Sequence, residues 1–181
     1  MILQSLYELG VRLRCEPDYG IAPPGFSIQK ISFRVVLRPS GELFDIQDGR
    51  SLQGQGLRPM QLPVLGNSKP PGSGINPRFL WDNGAYMLGF KPEDPKPERT
   101  REAFEAFRQR HLATEEQLGS PAFSAVCRFL EKWEPARAAD FPVLVEVGTG
   151  FGVFQMLGET AYVHDQPGLV AWWREQDNDT A

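Results

Sequence analysis

The chain has 181 residues, 41% of them hydrophobic and 23% charged, with a formal net charge of −4. That length favours one domain, in which roughly 70% of the unfolded surface is buried, so a core forms without metal or disulfide staples. The composition excludes intrinsic disorder and fibrous repeats, no stretch reaches the roughly 18 apolar residues of a membrane span, and Met1-Ile2-Leu3-Gln4 lacks the charged start of a signal peptide.

Ile2, Leu6, Leu9 and Leu13 recur on one face of a helix, with Arg12 and Arg14 completing its last turn. Glu16-Pro17 stops it, and Pro23-Pro24-Gly25 turns into a predicted strand over 28–37. There Ile31, Phe33, Val35 and Leu37 alternate with Lys30, Ser32 and Arg34, which predicts a half-buried strand with a basic outer face. Pro39-Ser40-Gly41 is a hairpin turn, and 43–46 returns as its partner. Pro59 and Pro63 confine the next strand to a sheet edge, because neither can donate to a ladder. Residues 66–84 are irregular, and an ordered loop of that length is usually functional. The apolar run 85–90 predicts a central strand buried on both faces.

From 97 to 118 the period becomes helical, with Phe104, Phe107, His111 and Leu118 on one face. Ser120-Pro121 opens a second helix, as cap and first-turn proline, with Phe123, Val126, Cys127 and Leu130 as its buried stripe. Strands are predicted over 143–147, 152–157 and 161–164, the last two joined by a Gly158-Glu159 turn, and a final helix over 167–175. The predicted class is α+β: a mostly antiparallel sheet with packed helices and long Gly/Pro-rich loops, 18 Gly and 16 Pro in all. Cys15 and Cys127 fall in helical patterns far apart in sequence and read as buried free thiols of a reducing cytosol.

Charge is uneven: residues 1–110 balance at +3 and residues 111–181 at −7. A polyanion and a partner protein both fit that asymmetry. Known catalytic patterns do not. Glu146-Val147-Gly148-Thr149-Gly150-Phe151-Gly152 has the look of an S-adenosylmethionine loop, but such a loop must open a helix, and Val153-Phe154-Gln155-Met156-Leu157 continues as strand. The glycines around Ser73 fit neither a phosphate loop nor a nucleophile elbow. His111 and His164 have no cysteine or carboxylate at metal-ligand spacing, and His111 reads as a satisfied core histidine. The expectation is a non-enzyme without cofactor or metal.

The long loop carries the functional expectation. Phe79, Leu80 and Trp81 suit a core plug. Lys69, Gly72, Ser73, Gly74 and Asn76 suit a ligand surface: glycines allow close backbone approach, an amide side chain both donates and accepts at a base edge, and a lysine pairs with phosphate. Gln29 and Lys30, at the start of the basic strand, extend that surface. Arg78, Lys91, Arg99 and Arg101 are further candidates for phosphate contact.

Met1-Ile2-Leu3-Gln4-Ser5-Leu6-Tyr7 and Ile21-Ala22-Pro23-Pro24-Gly25-Phe26-Ser27-Ile28-Gln29-Lys30-Ile31-Ser32-Phe33 resemble the start of the large signature subunit of type I-C CRISPR surveillance complexes, or Cascade. So do Lys69-Pro70-Pro71-Gly72-Ser73-Gly74-Ile75-Asn76-Pro77, Phe79-Leu80-Trp81-Asp82-Asn83, Leu88-Gly89-Phe90-Lys91-Pro92, Glu98-Arg99-Thr100-Arg101, Pro121-Ala122-Phe123-Ser124-Ala125-Val126 and Gly148-Thr149-Gly150-Phe151-Gly152-Val153-Phe154-Gln155. That family's proteins are longer, so the resemblance implies that 1–181 is a single α+β N-terminal domain of a large subunit with a further helical part. It implies a non-catalytic role in antiviral defence: recognising the protospacer-adjacent motif in double-stranded target DNA and helping to start strand separation, while guide pairing reads the rest. The implied partners are target DNA, guide RNA, the other Cascade subunits, a helicase–nuclease recruited later and phage-encoded inhibitor proteins, all in a prokaryotic cytoplasm. The alternative is a module that binds the guide-RNA end or a neighbouring subunit without reading DNA.

Overall fold

β-Branched and aromatic residues make 26–37 the organising strand of the molecule, β1 (Phe26–Leu37), and four other strands assemble around it. The computed structural model describes residues 2, 22–68, 72 and 74–180. The helix expected on Leu6, Leu9 and Leu13 lies outside these, as do Cys15, Lys69 and Ser73.

Pro39-Ser40-Gly41 turns β1 into β2 (Leu43–Asp48), which pairs antiparallel with the second half of β1. A small ribbon follows, β3 (Ser51–Gln53) against β4 (Gly56–Arg58), for which the alternation in the sequence is too short to be read. β5 (Met60–Leu65) carries Pro63 and pairs antiparallel with the first half of β1 alone, the edge position its proline requires. On the other side of β1 lies β7 (Phe151–Met156), the one parallel neighbour in the sheet, and beyond it the short antiparallel β6 (Trp81–Asn83).

Burial differs from the predicted character of β1. Ser32 is buried and Arg34 half-buried, so only Lys30 of the expected basic face is exposed. Alternation of polar and apolar residues marks a solvated face only where nothing covers it; here Ser32 lies against Gly150, where an added Cβ would sit 2.6 Å from its Oγ.

Two predicted strands are helices. The run 85–90 folds as α1 (Gly84–Leu88). The Asn83 side chain accepts from the Tyr86 N–H at 3.3 Å, and Gly89 closes the helix in the left-handed region at φ 64°. The run 143–147 folds as α4 (Pro142–Val147), opened by Pro142 in its first turn. In place of a strand over 161–164, Tyr162 makes a single antiparallel bridge to Gln155 and Val163–Asp165 tightens into a 3-10 turn. Asn83→Ala is expected to cost about 1 kcal/mol, or about 2–4 °C in thermal midpoint for a domain of this size; thermal unfolding followed by circular dichroism measures it.

The long helices follow the sequence, except that the helix expected over 97–118 ends at Thr114 and Glu115–Gln117 tightens into a 3-10 turn before Leu118. α2 (Pro97–Thr114) buries Phe104, Phe107 and His111. α3 (Pro121–Lys132) starts where Ser120 accepts from the Phe123 N–H at 3.3 Å, and it buries Phe123, Val126, Cys127 and Leu130. Burial pushes the Cys127 thiol up to about 12, which makes it an inert packing group. α5 (Pro167–Thr180) extends past its predicted end. Phe33, Val35, Leu37 and Phe154 form the main core with these helices, while Ile31, Val64, Trp81 and Val153 make a smaller cluster. Val153 and Phe154 are consecutive on β7, so the two clusters occupy opposite faces of the sheet.

Candidate nucleic-acid interface

The stretch between β5 and β6 enters and leaves the core under tight control. The Gly66 N–H donates to Gly25 O at 2.9 Å, and the Trp81 indole N–H to Leu65 O at 2.7 Å. Phe79, Leu80 and Trp81 are buried, the plug their composition predicts. Leu80 sits at φ 63°, a left-handed conformation costly for a residue with a Cβ. His111 explains its persistence. The Leu80 N–H donates to His111 Nε2 at 3.0 Å, His111 Nδ1–H donates to Phe107 O at 2.7 Å, and the imidazole stacks on Phe79 with centroids 4.9 Å apart. Burial pushes His111 down to about 3, so it is neutral, with both nitrogens engaged.

Between those ends the chain is held by side chains gripping its backbone. The Arg78 guanidinium donates to Ser68 O at 2.8 Å, and Arg110 donates to Pro77 O while lying 5.7 Å over the Phe79 ring. The fully buried Asp82 accepts from the Arg78 N–H at 2.9 Å, and its charge offsets the two guanidinium groups. The Tyr86 hydroxyl of α1 accepts from the Asn76 N–H at 3.1 Å, and Arg99 of α2 donates to Gly74 O at 3.4 Å. Gln29 donates its amide to Ser68 Oγ at 2.7 Å and to Ser27 Oγ at 3.1 Å.

These contacts sort the predicted site residues. Gly72, Gly74 and Asn76 are exposed. Gln29 and Arg78 meet at Ser68, and both use their polar groups within the protein. Lys30 is exposed on β1 opposite Gln61 of the edge strand. Tyr86 and Arg110 carry no sequence signal for a tethering role, since each reaches the loop from a separate helix. A readable signal does exist in the charges: residues 49–81 contain Arg50, Arg58, Lys69 and Arg78 and no Asp or Glu. That acid-free run supplies both the loop and the β3–β4 ribbon, on which Leu52 and Leu57 face each other, exposed.

The glycine segment 148–152 runs from helix α4 into strand β7, the reverse of the strand-to-helix order a cofactor loop needs. Its glycines serve packing. A Cβ on Gly150 would lie 2.6 Å from Ser32 Oγ, and one on Gly152 2.2 Å from the Phe33 ring. Among the described residues no group of three or more His, Cys, Asp or Glu could hold a metal ion, and no helix is long and apolar enough to cross a membrane.

Residues 6–181 match the family described as CRISPR-associated protein (Cas_Csd1). The chain belongs to this family. No curated protein matches it. Membership places this Csd1-family chain among the CRISPR-associated proteins, in an effector-related role alongside other Cas components.

Proposed function

We propose that this chain is part of the non-catalytic large subunit of a type I-C effector complex, where it reads the protospacer-adjacent motif in double-stranded DNA and helps begin strand separation. The observation that carries the reading is the held, outward display of Gly74 and Asn76. Tyr86 and Arg99 hold the backbone at Asn76 and Gly74 while both residues remain exposed, within a run of sequence that carries no carboxylate side chain. A backbone held at these two residues, with no carboxylate nearby in sequence to repel phosphate, can bring backbone and amide donors to the acceptors of a groove, and little more is needed when guide pairing supplies the remaining specificity. Its partners would then be target duplex, guide RNA, neighbouring subunits and the helicase–nuclease that follows, in a prokaryotic cytoplasm.

The test uses the assembled complex and short target duplexes. Asn76→Ala is expected to relax preference for the motif by a factor matching roughly 1–3 kcal/mol. Lys69→Ala is expected to weaken binding to all duplexes alike and to lower the salt slope by about one. Unchanged binding after 72–76 is replaced by a bulkier neutral loop would reject the site. Cross-links from position 76 to RNA or protein, with none to duplex, would favour a scaffold module instead.

A further inference from the structure

Beside the tethered loop lies a cleft of about 410 Å³ between α1, the turn that leads into α2, and the 148–149 segment. Tyr86, Lys91, Lys96, Arg99, Gly148 and Thr149 line it. Lys91, Lys96 and Arg99 are exposed. Among the described residues, the one acidic side chain in the lining, Asp94, is committed to the turn: it accepts from the Lys96 N–H at 2.9 Å and from the Thr100 hydroxyl. Those two donors, Thr100 first, hold its carboxyl below the usual range, so it stays ionised and the cleft keeps a surplus of two positive charges. A concave lining with a net positive charge concentrates anions, and a lysine pair with an arginine suits a phosphate group.

The cleft and the loop share parts. Tyr86 and Arg99 line the first and hold the backbone of the second at Asn76 and Gly74. A nucleic-acid strand carries a charge about every 3.4 Å of helix axis, and Arg99 both lines the cleft and donates to Gly74 O at 3.4 Å, so a strand touching Gly74 runs beside the cleft's edge. We infer that Lys91, Lys96 and Arg99 form a phosphodiester site for the backbone of the DNA strand running past the motif. The inference rests on the reading of 72–76 as the DNA-facing loop.

The experiment pairs Lys91→Ala/Lys96→Ala with target duplexes in which methylphosphonates replace single phosphates flanking the motif, both in the assembled complex. The two lysines are exposed, so their removal leaves the packing intact. The double variant is expected to bind duplex about tenfold more weakly at physiological salt and to lower the salt slope by about two, with motif preference unaltered. One methylphosphonate position should weaken wild-type binding and leave the double variant indifferent. A salt slope equal to wild type, with the methylphosphonate penalty retained, overturns the site. So does a defect confined to guide-RNA loading. Loss of slope and of the methylphosphonate penalty, combined with an unaltered motif preference in Asn76→Ala, would retain the cleft and reject the loop as reader.

Discussion

Gly152→Val is expected to abolish the folded domain, the largest effect of any single substitution considered. Gly152 lies within β7, paired with Phe33 of β1 on one side and Asp82 of β6 on the other. A Cβ there would lie 2.2, 2.4 and 2.6 Å from three atoms of the Phe33 ring, where carbon atoms rest at about 3.5–4.0 Å. Phe33 cannot withdraw, because it is fully buried in the main core. Overpacking by a methylene typically costs 1–3 kcal/mol with room to relax. Here three more heavy atoms meet a ring without that room, against a total stability of about 5–15 kcal/mol. Soluble yield and circular dichroism report the outcome. Gly168→Ala, at a glycine whose added Cβ meets nothing within 4 Å, serves as the neutral control. Gly152→Val protein with the wild-type thermal midpoint would refute the packing account.

The second large effect is a loss of stability in mild acid, traced to His111. An unfolded histidine takes up a proton near 6.5, whereas burial delays the folded one to about 3. Between those values the unfolded state holds more protons, so stability rises with pH. The contribution is complete above about 6.5 and drains away as pH falls toward 3, at up to about 1.4 kcal/mol per pH unit. From pH 7.5 to 5 His111 alone therefore removes about 2 kcal/mol. His164, also lowered chiefly by burial, pulls in the same direction. Asp48 and Asp94, both held below the carboxylate range, act only below about pH 4, outside that interval. Urea midpoints across this range should show His111→Gln with about one proton less dependence than wild type. His111→Ala, which empties a buried site and strands the Leu80 N–H, should cost about 4 kcal/mol at pH 7.5. A His111→Gln titration parallel to wild type would contradict the proton linkage.

What the sequence discloses depends on whether the deciding interaction is local. Ser120-Pro121 announces α3 because cap and proline act on the very next turn, and Pro39-Ser40-Gly41 announces the β1–β2 hairpin for the same reason. The runs 85–90 and 143–147 misread because a short apolar stretch has no period to distinguish a buried strand from a buried helix turn. Asn83 and Gly89 hold the answer for the first, as cap and left-handed stop. The basic face of β1 misreads because the segment that packs on Ser32, at Gly150, lies far along the chain and leaves no trace in the strand's own alternation.

The candidate site divides along the same line. Length, glycine and proline content mark 66–84 as a candidate in the sequence, and the aromatic plug at its end is buried as its composition predicts. Gln29, at the start of the basic strand, donates to Ser68 Oγ of that stretch. The grip was not visible, because Tyr86 and Arg110 act from other elements, and no spacing in the chain brings them to Asn76 and Pro77.

That grip is directed at main-chain atoms: Ser68 O, Gly74 O, Asn76 N and Pro77 O are each met by a side chain rooted outside 72–76 or at its far margin. The backbone at Gly74, Asn76 and Pro77 is thus held by side chains other than their own. Such a mount lets the displayed letters be exchanged while the holder stays the same, and a laboratory wishing to retune which short sequence is accepted could randomise those few positions without rebuilding the domain.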